Sequence, residues 1–473
     1  MTTENRRKED KTEAKTRDLR QNLTPLLNSA MVDKTEKENP TLPSNEQPPI
    51  ATIEGIVKTI NIQKAMKAVI RNKGAPGIDG ITTEEIKEVM KEKWPQIKQE
   101  ILEGKYRPSP VKRVEIPKPD NKGFRQLGIP TVMDRIIQQA IHQELAPIFE
   151  PLFSQNSYGF RPKRNTHQAV LKAQEYIQER CEWVVDIDLE KFFDKVNHDM
   201  LMGRIARRVK DKKILLLIRR YLQAGVMDNG LVKPTEEGTP QGSPLSPLLS
   251  NIMLDDFDKE LEKRGLRFTR YADDSNIYVK SEKAARRVME ATARYLTKKL
   301  KLKVNQQKSA VDKPWNRKFL GFTFTRGKEP GRIAVHERSI KKLKDKIRGL
   351  TKKMRGSNLP EAIRKRLMPI VRGWANYFSL SHQDNIFENL DGWIRRKIRG
   401  LLWRQWKRPR TRRKRLKELG LKEITAKKTA CSSKGPWRMA KSPGMHRAVT
   451  NRVIEAMGYT TMESIVKARS QSS

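Results

Sequence analysis

The sequence predicts an α+β fold in which β-hairpins come first and a bundle of α-helices follows. Two stretches alternate like strands on either side of polar turns, one at residues 111–129 and one at residues 266–279. Beyond residue 335 the apolar residues recur at spacings of three and four, which is the period of a helix. A chain of 473 residues is long enough for two or three domains with sizeable cores.

The N-terminal segment, residues 1–52, is predicted to be a disordered polar extension. Its first 50 residues contain no aromatic side chain and are dominated by Lys, Glu, Asn, Thr and Pro. Such a composition cannot bury enough apolar surface to offset the entropy that is lost on ordering. We therefore expect the folded part of the chain to begin near residue 53.

The next stretch, from Ile53 to Gly128, predicts helices followed by a basic hairpin. Residues 111–118 alternate like a strand, and a turn around residues 120–123 leads into a second strand at 124–129. Lys118 and Arg125 lie on opposite sides of this turn, where they could converge on a triphosphate. The residues alone are also compatible with two solvated cations on an ordinary hairpin.

Acidic residues occupy another predicted strand and the turn of the second hairpin. Alternation along Trp183–Leu189 puts Asp186 and Asp188 on one face, where two carboxylates need a metal or a base to compensate them. Asp273 and Asp274 lie at the turn of the hairpin at 266–279, although Asp is also common in ordinary turns. Mg²⁺ prefers such oxygen ligands. Asp188, Asp273 and Asp274 therefore suit a two-metal phosphoryl-transfer site, with Asp186 the weaker candidate.

Several motifs, in this order along the chain, resemble those of reverse transcriptases encoded by bacterial group II introns, in particular the compact class without an endonuclease domain. The resemblance begins near residue 60 and continues to the end of the chain. It rests first on Asp188 with Phe193 five residues later, and on Tyr271-Ala272-Asp273-Asp274. The other matching segments are Gly74–Gly80, Tyr158–Pro162, Gln241–Pro247, Phe319–Phe322 and Arg372–Phe378.

The resemblance implies a right-hand polymerase fold and a division into domains. The fingers and palm, with their antiparallel sheet, would occupy residues 53–330. An α-helical thumb and maturase domain would follow at 331–410, and a small basic DNA-binding module at 411–473. The resemblance does not cover residues 1–52, for which an accessory RNA-binding arm is the alternative to disorder.

The resemblance also implies the chemistry of the acidic site. Two Mg²⁺ ions would be held by Asp188, Asp273 and Asp274, with Leu189 at the same metal site. Lys308 matches a family lysine suggested as a proton donor to the pyrophosphate, although a surface lysine is the alternative.

Roles in nucleotide binding follow from the same resemblance. Lys118 and Arg125 would contact the phosphates of the incoming nucleotide, and Gln241 would touch the nascent base pair or its sugar. Phe193 would lie under the sugar of that nucleotide and clash with a 2′-hydroxyl, so that DNA is made; a core aromatic is the alternative. Phe192 would point the opposite way along the same strand.

Three amphipathic helices are predicted beyond residue 335. Their apolar stripes run over Ile340–Met354, Ile363–Tyr377 and Phe387–Leu401, with basic residues on the outer faces. We expect the stripes to form a core and the cations to face the template. The resemblance implies that this region, with Arg372 in one of its motifs, is the thumb and maturase domain that grips intron RNA.

A basic tract that contains tryptophans follows the third helix. Trp403 and Trp406 alternate with cations, an arrangement that can stack on bases while neutralising phosphates. Pro409 is expected to interrupt the helix. The alternative for residues 411–473 is a thumb extension with no independent role. The candidate nucleic-acid-binding residues are Arg372, Arg404, Lys407, Arg408, Arg410, Arg412 and Arg413.

Composition supports a polyanionic partner independently of the motifs. Lys and Arg number 99 against 55 Asp and Glu, which gives a formal net charge of +44. Cys181 and Cys431 are far apart, which excludes a disulfide framework and a Cys-Cys zinc module and argues against a zinc-containing endonuclease. Because the sequence shows no secretory leader and no long apolar stretch, we expect a cytoplasmic protein without a membrane partner.

The resulting hypothesis is an RNA-directed DNA polymerase that copies its group II intron into DNA during retrohoming and acts as a maturase for that intron's splicing. Its expected partners are intron RNA, a DNA target, a primer–template duplex and deoxynucleoside triphosphates; the sequence does not indicate an oligomeric state. One alternative is an RNA-binding splicing factor with a vestigial polymerase site, which the intact acids count against. The other is a domesticated reverse transcriptase in defence or diversification, against which Gln241–Pro247, Arg372–Phe378 and the basic tail favour the intron-encoded form.

Overall fold

The chain divides into two compact units, Met1–Lys313 and Pro314–Ser473. The computed structural model describes residues 49–117, 123–228, 231–233, 237–239, 242–326 and 330–471. The first unit mixes helices with one mixed and one antiparallel sheet, and the second unit is mostly helical. The predicted α+β class is confirmed.

Several helices of the first unit begin at residues whose side chains cap them. Thr131, Asn165 and Ser281 each accept a hydrogen bond from a backbone N–H of the first helical turn, which satisfies a donor that the helix leaves open. The helices are α1 (Ile53–Val57), α2 (Thr59–Arg71), α3 (Ile86–Leu102), α4 (Val132–Phe149), α5 (Thr166–Gln178), α6 (Phe192–Lys195), α7 (His198–Ala206), α8 (Lys212–Gln223), α9 (Ser246–Lys263) and α10 (Glu282–Lys299). The strands are β1 (Val111–Pro117), β2 (Phe124–Ile129), β3 (Trp183–Ile187), β4 (Val226–Asp228), β5 (Leu231–Lys233), β6 (Arg267–Tyr271), β7 (Asp274–Val279) and β8 (Ala310–Asp312).

The basic hairpin predicted after the first helices is confirmed. β1 and β2 pair antiparallel from Lys112 opposite Ile129 to Pro117 opposite Phe124. β4 pairs parallel with β1, so the sheet has the order β2-β1-β4-β5. The turn between β1 and β2 lies outside the described residues.

A second sheet of four strands, in the order β6-β7-β3-β8, carries the acidic motifs. β3 pairs antiparallel with β7 on one side and with β8 on the other, which makes it a central strand. Val184, Val185 and Ile187 of β3 are buried, and α5 and α10 pack against the sheet. The apolar residues of β3 therefore lie in the core between the sheet and its helices.

The second unit contains the three predicted amphipathic helices. The stripe residues Leu343, Ile347, Ile363, Ile394 and Ile398 are buried, which confirms the predicted inward orientation. Its strands are β9 (Phe322–Phe324) and β10 (Ile333–Val335). Its helices are α11 (Glu337–Lys353), α12 (Leu359–Ala362), which continues through a π-helical turn at Ile363–Leu367 into α13 (Met368–Tyr377), and then α14 (Asp384–Gln405).

Short helices complete this unit and pack on α14. Pro409 begins the first of them, so the predicted interruption of the helix is confirmed. The buried Asp391 of α14 accepts hydrogen bonds from the Tyr459 hydroxyl at 2.5 Å and the Met462 N–H at 2.9 Å. These helices are α15 (Pro409–Glu418), α16 (Glu423–Ala430), α17 (Pro436–Met439), α18 (Pro443–Ala448), α19 (Asn451–Ala456) and α20 (Met462–Ser470).

Candidate active site

Two adjacent carboxylates stand where β6 turns into β7. Tyr271 pairs with Asp274, which leaves Ala272 and Asp273 as a two-residue turn, as expected for the predicted hairpin. Ala272 has a φ of +58°, a left-handed conformation that costs a residue with a Cβ about 1–3 kcal/mol. Such strain persists only where the surrounding structure holds the backbone in place.

Arg270, in the strand just before the turn, holds it from the buried side. The guanidinium donates to the two carboxylate oxygens of Asp258 in α9 at 2.7 and 2.5 Å, and both side chains are completely buried. Its Nη1 donates to the carbonyl of Ala272 at 2.8 Å and to Oδ1 of Asn251 at 3.0 Å. This network was not predicted from the sequence, in which its one signal is a charged residue on a strand next to the acidic motif.

The segment around Gly159 covers the turn from another side. The Tyr158 N–H donates to the Arg270 carbonyl at 2.8 Å, and the Arg270 N–H donates to the Asn156 carbonyl at 2.9 Å. A Cβ on Gly159 would lie 2.1 Å from the Ala272 nitrogen, so only glycine permits this approach. This contact gives a physical reason for the glycine in the Tyr158–Pro162 motif.

Asp188 approaches the acidic turn from β3. Ile187 is paired with Ser275, so the same register continued by one residue places Asp188 opposite Asp274. Antiparallel neighbours of this kind have Cα atoms about 4.5–5.5 Å apart. The Asp188 N–H donates to Ser309 Oγ at 3.0 Å, which fixes the backbone at the point where β3 ends. The strand pairing thus brings the three predicted acids to one end of the sheet.

Lys308 lies directly against Asp188. Its Nζ is 3.3 Å from each carboxylate oxygen of Asp188, and it belongs to the loop that precedes β8. The same loop is held by the Asn305 N–H, which donates to the Asp188 carbonyl at 2.8 Å. The lysine predicted as a proton donor is therefore in ionic contact with the first of the acids.

The donor set of this end of the sheet consists of carboxylates, which suit a hard divalent cation. Within the described part of the chain, no three His, Cys, Asp or Glu side chains lie close enough together to hold a metal ion between them. Leu189 has a buried side chain without a ligand atom, so only its backbone carbonyl could reach a metal. Asp186 is paired with Asn276 in the sheet. With the Asn276 side-chain amide turned so that its nitrogen faces acceptors, that nitrogen donates to Asp186 Oδ1 at 3.2 Å.

Phe193 lies in the short helix α6, so the strand expected for Phe192 and Phe193 is wrong. β3 ends at Ile187, and Lys191, with a φ of +48°, starts the helical turn instead. Phe192 is 2% exposed, whereas Phe193 is partly buried, and their rings meet edge to face with 5.2 Å between centroids. The Thr239 N–H donates to the Phe193 carbonyl at 2.6 Å, which connects the backbone at Thr239 to α6.

Three of the predicted nucleotide-binding residues cannot be placed as side chains. Lys118 and Gln241 lie outside the described residues. The backbone of Arg125 is opposite Ile116 in the hairpin; the side chain of Arg125 is not among the described parts of the chain.

The tryptophans of the basic tract do not face solvent. Trp403 is 1% exposed and Trp406 is 8% exposed, so the prediction that they stack on bases is wrong. The guanidinium of Arg412 lies 4.2 Å from the Trp403 ring centroid and donates to the Trp406 carbonyl at 3.0 Å. Arg413 forms an ion pair with Glu423. The predicted cations with exposed side chains are Arg372, Arg404, Lys407, Arg408, Arg410 and Arg413.

Comparison with known proteins decides the family. Residues 116–324 match reverse transcriptases (RNA-dependent DNA polymerases), and residues 340–420 match the maturase-specific domain of group II introns. Protein YkfC of Escherichia coli (strain K12) is 34% identical over 290 residues, which cover 53% of this chain and 76% of that protein. This chain belongs to the group II intron-encoded reverse transcriptases. It carries an RNA-directed DNA polymerase domain followed by a maturase-specific domain.

Other relatives extend the comparison. The group II intron-encoded protein LtrA of Lactococcus lactis subsp. cremoris is 39% identical over 213 residues, 44% of this chain and 34% of that protein. This reverse transcriptase thus spans about a third of the length of LtrA. A chain of a partial Cas6-RT-Cas1–Cas2 complex has a TM-score of 0.35 at 25% identity, over 52% of this chain and 42% of that one.

Two general properties accompany the family assignment. Reverse transcriptases use divalent metal ions, and their substrates are nucleic acids, which agrees with the net charge of +44.

Within the described residues, no helix combines the length and the apolar character that crossing a membrane requires.

Proposed function

We propose that this reverse transcriptase copies group II intron RNA into DNA during retrohoming and also acts as the maturase that assists splicing of the same intron. One observation carries the proposal: the β3–β7 register puts Asp188 next to the turn that contains Asp273 and Asp274. The reaction is attack of a primer 3′-hydroxyl on the α-phosphate of a deoxynucleoside triphosphate. The partners are intron RNA, a DNA target and a primer–template duplex, and the compartment is the cytoplasm.

Asp188, Asp273 and Asp274 are proposed to hold two Mg²⁺ ions, with the Leu189 carbonyl as a further ligand. When bound, the ions would activate the attacking hydroxyl and stabilise the leaving pyrophosphate. The chain's own contribution is the fixed backbone of the acidic turn, because ligands already in position need no reorganisation during the reaction.

Lys308 is proposed to donate a proton to the pyrophosphate. Its contact with both oxygens of Asp188 places an ammonium group at the edge of the acidic site. That position supports the role, because a general acid must lie within hydrogen-bonding reach of the group that it protonates.

Four residues are proposed to bind the incoming nucleotide. Lys118 and Arg125 would contact its phosphates, Gln241 the nascent base pair, and Phe193 the sugar. The hydrogen bond from the Thr239 N–H to the Phe193 carbonyl supports the role of Phe193, because it fixes the backbone of α6 at that residue.

The remaining basic surface is proposed to bind RNA and DNA. The fingers and palm would occupy 53–330, the thumb and maturase domain 331–410, and a DNA-binding module 411–473, preceded by a polar extension at 1–52. Exposed Arg372, Arg404, Lys407 and Arg408 would contact phosphates. Arg410 and Arg413 share that role, and Arg412 is a weaker candidate because it packs on Trp403.

The first test removes one carboxylate at a time. Asp273→Asn or Asp188→Asn should lower DNA synthesis on a primed RNA template by roughly a thousandfold, because several kcal/mol of charge stabilisation is lost. RNA affinity should change little. Asp199→Asn, at an exposed surface residue, is the matched control. Near-normal extension by either site variant would overturn the assignment.

The second test separates the two activities. Splicing assistance needs binding energy for folded intron RNA and no metal chemistry from the protein. The double variant Asp273→Ala, Asp274→Ala should therefore still promote splicing of the intron at low Mg²⁺ concentration while DNA synthesis is lost. If it binds the RNA normally but no longer promotes splicing, the two activities share the acidic site. Sequencing of RNA that copurifies with the protein would identify the intron.

A further inference from the structure

The second unit contains a basic cavity that the acidic site does not account for; of the cations predicted to bind nucleic acid, Arg404 lines it. It has a volume of about 520 Å³ and lies between α11, α14 and α17. This volume is within the usual range of small-ligand sites, about 300–1,000 Å³. We call it the α14 pocket; the side chains that define it are Arg348, Lys352, Arg355, Lys397, Arg404 and Trp437.

The α14 pocket carries a surplus of positive charge. Within the described residues one carboxylate, Asp345, lines it together with the five cations, and that carboxylate is already 2.6 Å from Arg348 Nη1. Partial burial lowers the pKa of Lys397, and the neighbouring charges of Arg348 and Arg404 lower it further. A bound anion would relieve this repulsion, so the electrostatics favour a phosphate ligand.

Trp437 supplies an aromatic surface at the edge of the same cavity. Its side chain is 41% exposed, which is unusual for so large an apolar group. The Arg396 guanidinium lies 3.8 Å from the ring centroid and donates to the Trp437 carbonyl at 3.0 Å, which fixes the position of the residue. Lys397 Nζ lies 4.7 Å from the same centroid. The ring and the cations are therefore held next to one another.

We propose that the α14 pocket binds one unpaired nucleotide of RNA, with its base stacked on Trp437 and its phosphates contacted by Lys397 and Arg404. A single exposed ring beside clustered cations fits a base that has left its helix, whereas the bases of a duplex are already stacked. RNA is favoured over DNA because all five cations of the pocket lie within the maturase-specific match at residues 340–420. Trp437 lies beyond that match, in the segment proposed above as a DNA-binding module, so DNA binding through Trp437 is the outcome that the experiment has to exclude. The proposal rests on the proposed maturase function and names a contact for it.

The competing explanation is that Trp437 only packs α17 against α14. Packing alone predicts that Trp437→Ala lowers the thermal midpoint while the folded protein binds RNA unchanged. Base stacking predicts a loss of affinity of about 5-fold to 160-fold for single-stranded RNA, from about 1–3 kcal/mol per stacked base. Trp437→Phe keeps a ring and should retain most of the affinity.

The experiment measures binding of a short oligouridylate and of an RNA duplex by the full chain over a range of salt concentrations. Trp437→Ala should weaken oligouridylate binding more than duplex binding. Lys397→Gln should reduce the slope of log affinity against log salt by up to about 0.7 for a lost single-strand phosphate contact. Lys283→Gln, an exposed lysine of α10 in the first unit, is the charge-matched control and should change the slope less.

Photocrosslinking gives a readout that does not depend on the stability of the variants. Oligomers that contain 4-thiouridine should crosslink to the peptide with Trp437, as located by mass spectrometry. Crosslinks confined to other peptides, unchanged affinity of Trp437→Ala, or tighter binding of oligothymidylate through Trp437 would each overturn the proposal. Primer extension on an RNA template is measured in parallel. If primer extension is normal while the tests of the α14 pocket fail, only the proposed RNA site in the pocket is refuted. If the wild-type protein cannot extend a primer, the proposed polymerase function is refuted.

Discussion

Replacing Arg270 tests whether the acidic turn is positioned from the protein interior. In Arg270→Met the Asp258 carboxylate stays fully buried without its partner, and breaking a buried pair in this way costs roughly 3–5 kcal/mol. Because native proteins are stable by about 5–15 kcal/mol, the denaturant midpoint should fall substantially. DNA synthesis should fall as well, since Nη1 of Arg270 no longer holds the Ala272 carbonyl.

A double variant separates the two effects. Arg270→Met with Asp258→Leu replaces both charges by apolar groups, an exchange that is often neutral or stabilising for a buried pair. Stability should therefore return towards that of the wild type, while the Ala272 carbonyl still lacks its donor. A turn displaced by about 1 Å can lower the rate about a hundredfold, so single-nucleotide extension should remain slow.

The outcome of the double variant decides the role of Arg270. Recovery of both stability and extension rate would mean that the arginine acts only as a folding element. Gly159→Ala gives an independent check, because its added Cβ would lie 2.1 Å from the Ala272 nitrogen and push on the same turn without removing a charge. It should slow extension while RNA affinity is retained.

Further predictions concern sugar selection and the basic tract. If Phe193 contacts the sugar, Phe193→Val should permit measurable ribonucleotide incorporation, whereas Phe192→Val, at the more buried ring, should mainly lower the melting temperature; unchanged sugar discrimination would make Phe193 a core residue. Arg404→Gln with Arg408→Gln should weaken DNA-duplex binding and flatten its salt dependence by up to about 0.9 log unit per lost phosphate contact. Arg412→Gln should instead lower stability, because its guanidinium packs on a buried ring, and an unchanged melting temperature would contradict this.

Local patterns in the sequence were sufficient to predict the elements that carry the acids. Runs of β-branched and aromatic residues around a short polar turn identified β3 and the β6–β7 hairpin, although consecutive residues on both faces of β6 and β7 are buried. The helical stripes beyond residue 335 were equally visible. The partner of Arg270 was not, because Asp258 lies on a helix and nothing local indicates that the two side chains are buried together.

The errors in the sequence-based interpretation share a cause. Trp403 was expected to be exposed because cations surround it in sequence, but a residue from the following helix, Arg412, covers its ring. Phe193 was placed on a strand because the strand pattern was extended past Ile187, whereas the left-handed backbone at Lys191 ends it. The burial of Trp403 depends on a contact from another helix, and the position of Phe193 depends on a backbone turn. Neither can be predicted from the residue type alone.

The acidic turn of the first unit and the α14 pocket of the second unit carry charge surpluses of opposite sign. In the first unit the acids meet at the end of a buried sheet, where Lys308 lies against Asp188 and the Arg270–Asp258 pair anchors the backbone of the turn. Like charges held so close repel one another, so the site favours added cations and needs a backbone that cannot relax away from them. In the α14 pocket the surplus is of the opposite sign, and the repulsion among its cations favours a phosphate. The proposed metal site and the proposed RNA pocket therefore have charge surpluses of opposite sign, and the two surpluses lie in different units.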